Sequence, residues 1–322
     1  MKKIWINVDP DHVDLTYLRK HFEGRCEIVA KAVPNDPKQY LPLAKDADIV
    51  IATLESWNKD TLKEIRGKVG FIQRFGMGVD SIDIPAASEN GILVANILGA
   101  NSAAVAEIAF LHILNAGRKF VSCVEGVKAG HSAPPAGTEL DGKTVGLLGF
   151  GNIARHLARM LSGFDVKILT YDPYAPDPKD YPNVEFLSNR EDLFRRSDIV
   201  SLHIPCTKET FGSINKSLFD LMKDGSYLVN TCRGGVIHEQ DLIAALKSGK
   251  IAGAGLDVIC NEPPTVDEPL LHMPQVTVTS HMGAESKEAI QRSLQVMAQA
   301  IDTYLEGGVP KFARNADQVK KI

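Results

Sequence analysis

Three side chains able to do acid, base or anion chemistry each follow an apolar, strand-like run: Arg233 after YLVNT, Glu262 within GLDVICNEPP, and His281 after QVTVTS. Each has an ordinary reading on its own: a turn arginine, a solvated glutamate beside prolines, a histidine satisfied by its neighbours. Their common placement points further. In an open α/β sheet, ligands bind beyond the carboxyl ends of the strands, so groups far apart in sequence converge there. Gly234 and Gly235 follow Arg233 and would leave room for cofactor and substrate at that turn.

A cofactor site is legible in TVGLLGFGNIARHLARMLSG, where Gly149, Gly151 and Ala154 form a G-x-G-x-x-A pattern between a strand and a helix. Gly149 permits the tight turn, Gly151 lets a pyrophosphate approach the backbone, and Ala154 lets the helix close on the strand, while the helix N-terminus offers unpaired N–H donors. The next strand-like run ends in TYDPY, which puts Asp172 twenty-one residues after Gly151, the place of an acid that binds an adenosine ribose. That carboxylate would repel the 2′-phosphate of NADP, so the expected cofactor is NAD. Asp172 could instead be a turn residue before Pro173.

The elements that would carry these residues follow an α/β rhythm. KIWINV, CEIVA, ADIVIA, GFIQRF and ILVAN alternate with polar, helical stretches, a pattern that predicts a parallel sheet with crossover helices. From Asn101 the run NSAAVAEIAFLHILNAGRKF reads as one long helix, with an exposed loop from Lys128 to Gly142 after it. A second series runs KTVGLLGF, DVKILTYD, SDIVSLHIP, SYLVNT, IAGAGLDV and QVTVTS, and Ala284 to Gly307 reads as a long returning helix. The expected domains are 1–100 with 285–322, discontinuous, and 101–284.

Composition limits the alternatives. With 322 residues, 44% of them hydrophobic, the chain can build two cores. A formal charge of −4 with acids and bases interspersed gives no basic stripe for nucleic acid. The opening MKKIWINVDPDH is too short an apolar run for a signal peptide or a membrane span. The five cysteines are scattered and form no C-x-x-C pair, which argues against disulfides and structural zinc. A cytoplasmic protein acting on small molecules, with no metal, is expected.

The chain resembles the D-isomer-specific, NAD-dependent 2-hydroxyacid dehydrogenase family over nearly its whole length. The stretches that carry the resemblance are GMGVDSIDIPAASENGILVAN, NSAAVAEIAF, GLLGFGNIAR, SLHIPCTKET, LVNTCRGGVIHEQDLIAALKSGKIAGAGLDV, NEPP and SHMGAES. The resemblance implies an α/β fold of two doubly wound parallel-sheet domains, a Rossmann cofactor domain inserted into a flavodoxin-like substrate domain. It implies that Arg233 binds the substrate carboxylate and polarises the keto oxygen, and that His281 is the acid/base paired with Glu262. A carboxylate beside an imidazole favours the imidazolium that gives a proton to the carbonyl oxygen. It further implies that Met77 and Gly78 offer backbone N–H groups to the substrate carboxylate, with the active site between domains. Asn152 and Ile153 would meet the pyrophosphate, Ile204 and Pro205 the adenine, and Asp257 the carboxamide, with Thr210, Thr231 and Cys232 as further cofactor contacts. His203 and Cys232 then need no role as proton carrier or nucleophile.

Some positions depart from the family. Ala154 replaces the commoner third glycine, Ser286 stands where a threonine is frequent, and the family's usual tryptophan is absent from GVKAGHSAPP. Glu262 argues against formate dehydrogenase relatives, which have an amide there. Phosphoglycerate-specific relatives often have an Arg-Ser pair where this chain has Leu54 and Glu55, and Glu55 would repel a phosphate if it faced the pocket. The expectation is therefore a homodimeric reductase of unphosphorylated 2-oxoacids such as glyoxylate, hydroxypyruvate or pyruvate, with D-3-phosphoglycerate as runner-up substrate. An NAD-sensing, corepressor-like binding protein is the alternative of another class. It is disfavoured because almost nothing in the sequence lies beyond the two domains.

Overall fold

In a computed structural model, residues 1–131 and 133–319 are described. Ser132, within the loop expected from Lys128 to Gly142, and residues 320–322, at the end of the expected substrate domain, lie outside the described residues. The chain divides into two compact units, residues 1–101 with 286–322 and residues 102–285.

The first unit begins β1 (Lys2–Ile6), α1 (Thr16–His21), β2 (Cys26–Ala30), α2 (Pro37–Lys45), β3 (Ile49–Ala52), α3 (Lys59–Glu64), β4 (Phe71–Arg74), α4 (Ile84–Glu89) and β5 (Leu93–Ala95). Its strands pair in the order β2-β1-β3-β4-β5, all parallel. Such a sheet is buried on both faces, which is why β3 reads as an unbroken apolar run and has no exposed residue. Along β1, Ile4 and Ile6 enter one core and Trp5 the other, following the two-residue period of a strand. Asp36, Asn58 and Asp83 cap α2, α3 and α4 through their side chains.

The second unit opens with α5 (Ser102–Arg118) and α6 (Phe120–Lys128). One helix was expected here. The break falls at Lys119, whose φ of 52° is left-handed and turns the chain, while Asn115 Oδ1 accepts from the Val121 N–H at 2.9 Å. The series continues as β6 (Thr144–Leu148), α7 (Asn152–Leu161), β7 (Lys167–Tyr171), β8 (Val184–Phe186), α8 (Arg190–Arg196) and β9 (Ile199–Leu202). It closes with α9 (Lys216–Leu221), β10 (Ser226–Asn230), α10 (Glu239–Lys247), β11 (Ile251–Leu256) and β12 (Val276–Val278). β8 was not anticipated: it is a three-residue edge strand, too short to show a period.

The seven strands are parallel in the order β12-β11-β10-β9-β6-β7-β8. The order reverses between β6 and β9, the switch point at which such sheets open a crevice. Val145, Leu147 and Ile168 face a core shared with Ala106 and Ala109 of α5 and Ala154 and Leu157 of α7. Val200, Leu202 and Leu228 face the opposite core with Leu242 and Leu246 of α10. The chain then re-enters the first unit through α11 (Lys287–Leu305), whose Leu294, Met297 and Ile301 pack on Ile4, Ile49 and Phe71. Ser286 caps α11 by accepting from the Ala289 N–H at 3.1 Å, so serine performs the task at this position with its hydroxyl.

Candidate active site

The turn after β10 is organised by Asn230, which sequence reasoning treated as the end of a strand. Fully buried, it accepts from Cys232 N–H at 3.0 Å through Oδ1 and donates from Nδ2 to the Arg233 carbonyl at 2.9 Å. Arg233 Nη1 donates to the Cys232 carbonyl at 2.6 Å. Burial pushes the Cys232 thiol up to about 11, so it holds its proton at neutral pH and is a poor nucleophile.

The two glycines after Arg233 also serve the packing of the protein itself. A Cβ on Gly234 would overlap the Ile259 carbonyl, and one on Gly235 would press on Cys206 Sγ and Phe211 at 3.2 Å. The absence of a side chain at Gly234 brings the arginine turn against Ile259 and Cys260, just ahead of Glu262. Glu262 in turn accepts from the Ile259 N–H through Oε1 at 3.2 Å, while Oε2 lies 2.7 Å from His281 Nδ1. Two of the three residues that opened the sequence reading are thus in contact, and the third is on a turn packed against their loop.

His281 has a φ of 56°, unusual for a residue with a side chain. Its turn is held by Asp257, whose backbone carbonyl accepts from the His281 N–H at 2.9 Å. The Asp257 carboxylate, 1% exposed, accepts from Met282 N–H and Gly283 N–H at 2.9 Å and from Thr279 Oγ1 at 2.6 Å. With Nδ1 taken by Glu262, the Nε2 of His281 is the nitrogen left for proton transfer.

At the switch point, Gly149 has a φ of 90°, and a Cβ there would come within 2.6 Å of the His203 carbonyl, so only glycine suits this crossing of β6 and β9. Gly151 is the N-cap of α7, contributes no capping side chain, and has nothing within 4 Å of where a Cβ would lie. Asn152 and Ile153 begin the helix, so their backbone N–H groups are among those with no partner inside it. Asp172, at the end of β7, accepts from the Phe150 N–H at 2.7 Å and the Tyr174 N–H at 2.8 Å, which ties it to the glycine turn. Thr231 Oγ1 is buried and has no partner among the described residues. Open space beside uncapped helix N–H groups, a fixed carboxylate at the second strand and an orphaned hydroxyl fit a dinucleotide.

Beyond β9, Ile204 is half-buried and Pro205 exposed. Thr210 Oγ1 donates to the Pro205 carbonyl at 2.6 Å and closes that turn. His203 Nε2 lies 2.9 Å from Ser201 Oγ, and burial pushes its imidazole down to about 4, so it carries no proton at neutral pH.

In the first unit, Met77 and Gly78 follow β4, and the Met77 carbonyl accepts from Asn96 Nδ2 at 2.6 Å. Glu55 does not face solvent. Only 1% exposed, it accepts through Oε2 from Asn7 Nδ2 at 2.9 Å and from Thr53 N–H at 3.0 Å, while Leu54 is 67% exposed. The charge argument against a phosphorylated substrate therefore loses its premise.

Residues 110–283 match the family described as D-isomer specific 2-hydroxyacid dehydrogenase, NAD binding domain. A glyoxylate reductase of Thermofilum pendens is 35% identical, over 92% of this chain and 90% of its own. A hydroxypyruvate reductase of Thermotoga maritima is 36% identical, over 88% of this chain and 92% of its own. Similar identity extends to D-3-phosphoglycerate dehydrogenases, of which this chain spans about half the length: 46% for one from Arabidopsis thaliana and 60% for one from Methanocaldococcus jannaschii. Among solved structures, a glyoxylate reductase from Paecilomyes thermophila superposes with a TM-score of 0.86 at 26% identity, over 97% of this chain and 98% of that one.

Proposed function

Because the chain belongs to the D-isomer-specific 2-hydroxyacid dehydrogenase family, we propose that it reduces a small 2-oxoacid to the D-2-hydroxyacid with NADH. The observation that supports this most is the 2.7 Å contact of His281 Nδ1 with Glu262 Oε2, which leaves one imidazole nitrogen for the substrate. Bound NADH supplies the hydride. Gly149, Gly151, Asn152 and Ile153 would take the pyrophosphate, Asp172 the adenosine ribose, and Ile204 and Pro205 the adenine. Thr231 would offer its hydroxyl, with Thr210 and Cys232 as further contacts, and Asp257 would reach the carboxamide through Oδ2, which also accepts from the Gly283 N–H at 2.9 Å.

In this reading, Arg233 places its planar cation on the substrate carboxylate and carbonyl together, which a lysine point charge does less well. The N–H groups of Met77 and Gly78 add donors to that carboxylate. His281 delivers a proton from Nε2 to the carbonyl oxygen as carbon accepts hydride, and takes it back in the oxidative direction. Glu262 holds the ring through the contact of its Oε2 with Nδ1. The proposed assembly is a homodimer through the cofactor domain, supported by α6, which buries none of its residues and exposes Phe120, Val121 and Val127. No helix among the described residues is long and apolar enough to cross a membrane. We place the protein in the cytoplasm.

Unphosphorylated acids are the first choice of substrate, since Leu54 is exposed and apolar at the loop where phosphoglycerate-specific relatives carry a cation. The inward Glu55 and the likeness to phosphoglycerate dehydrogenases keep D-3-phosphoglycerate as the second. A screen of glyoxylate, hydroxypyruvate, pyruvate and phosphohydroxypyruvate with NADH tests the proposal. Turnover with one of the first three at the highest kcat/KM is expected. No NADH oxidation with any of them would overturn it.

A further inference from the structure

A polar chain runs from the middle of α5 to the turn that carries His281. His112 of α5 is 2% exposed, and its Nε2 lies 3.1 Å from Thr279 Oγ1. Thr279 Oγ1 lies 2.6 Å from Asp257 Oδ1. Asp257 receives every other bond at its carboxylate from a backbone N–H, those of Met282 and Gly283. An acceptor-only carboxylate makes the threonine hydroxyl the donor toward Asp257, which leaves a lone pair of Oγ1 to accept from His112 Nε2–H. Burial holds the His112 imidazole below its ordinary value, so the ring is a neutral donor.

The seat for this ring is built. A Cβ on Gly255 would come within 2.6 Å of His112 Cβ and 2.8 Å of its Nδ1, so the bare backbone of β11 is what admits the imidazole. One turn along α5, Asn115 Nδ2 donates to Thr277 Oγ1 at 2.8 Å, so residues three apart on the helix meet Thr277 in β12 and Thr279 just after it. The strand and the residue that follows it are thereby fixed to α5 at two points. Thr279 N–H also donates to the Leu256 carbonyl at 2.9 Å, keeping it level with Asp257 across the β11–β12 pair.

We propose that His112 and Thr279 are positioning residues for the reaction, holding the Asp257 carboxylate so that it fixes the left-handed turn at His281 and aims the imidazole. The turn is the weak point of the site: a non-glycine residue at φ 56° is held only while its surroundings over-determine it. Loss of the His112 donor lets Thr279 turn its hydroxyl, and Asp257 then shares its bonds less firmly with Met282 and Gly283. His112 acts at a distance and touches neither cofactor nor substrate in this scheme. The consequence for turnover rests on the proposed reductase reading, whereas the consequence for the turn does not.

The test compares His112→Leu, which keeps bulk and removes the donor, with His112→Gln, whose amide reaches a similar point. Hydrogen exchange of the His281, Met282 and Gly283 amides is expected to quicken about three- to tenfold in the leucine variant, the scale of one hydrogen bond, and to recover in the glutamine variant. The kcat for oxoacid reduction is expected to fall by a similar factor in the leucine variant and to recover in the glutamine variant. Thr279→Val should reproduce the effect, Thr279→Ser should not, and His112→Leu added to Thr279→Val should cost nothing more. Exchange at these three amides unchanged in His112→Leu would overturn the proposal. So would equal damage from Gln and Leu, or exchange quickened evenly across residues 102–285. If His112→Leu does not fold, the Thr279 pair decides alone. A wild type inactive on every 2-oxoacid would sink the reductase reading, and the exchange experiment would still judge the relay.

Discussion

Arg233, Glu262 and His281 were visible in the sequence because each ends an apolar run, and their type survives any uncertainty about loops. Asn230, Thr279 and His112 were not, because a buried polar residue inside a strand or helix has no signature until its partners are known. Asp172 was visible by spacing, and its bonds to Phe150 and Tyr174 show why the carboxylate is fixed there. Asp172→Asn keeps an acceptor and removes the charge. Wild type is expected to prefer NADH over NADPH by about tenfold or more in kcat/KM, the scale of ~1.4 kcal/mol, and the variant to narrow that ratio. Equal use of both cofactors by wild type would contradict the assignment. His203 makes a separate prediction. Its folded value of about 4 lies below the ordinary ~6.5, so the unfolded chain binds the proton first. The stability from burying it neutral is whole above ~6.5 and is lost as pH falls toward 4, amounting to about 2 kcal/mol by pH 5. Thermal unfolding should therefore lose more between pH 7 and 5 in wild type than in His203→Gln. Equal losses would show that His203 does not carry this dependence.

At the scale of elements, long runs with a clear period were legible and short or broken ones were not. The parallel strands are legible because burial on both faces makes their middles apolar, throughout in β3 and at Tyr227, Leu228 and Val229 in β10. The three residues of β8 are only half-buried at the sheet edge and gave no such run. The break between α5 and α6 is not legible because Lys119 is a good helix former, and nothing in its residue type announces the left-handed φ. Glycine at that position removes a steric cost of roughly 1–2 kcal/mol, partly offset by the freer unfolded chain. Lys119→Gly is expected to raise the melting temperature by about 1–3 °C. A lower melting temperature would mean that the lysine side chain contributes more than its backbone loses. Gly234 belongs here too: its lack of a side chain allows a close approach of two loops, which no local pattern announces.

For the whole molecule, two βα series and one family resemblance led to the fold class, and the switch points emerged only from strand order. The exposed apolar face of α6 predicts a dimer. Light scattering at micromolar concentration should give twice the chain mass, and Phe120→Glu with Val127→Glu should return it to monomer. A wild-type monomer would refute that assembly. Turnover is the property in which all scales meet, and steady-state NADH oxidation by wild type, Arg233→Lys and His281→Ala measures it. With saturating NADH and the best oxoacid, His281→Ala should lose about 100-fold or more in kcat while binding NADH normally, the usual scale of acid/base catalysis. Arg233→Lys should raise KM for the oxoacid and lower kcat, since a charge-assisted bond of about 1.5–3 kcal/mol is being weakened most in the transition state. Near-wild-type turnover in His281→Ala would contradict the central claim that the His281–Glu262 pair moves the proton.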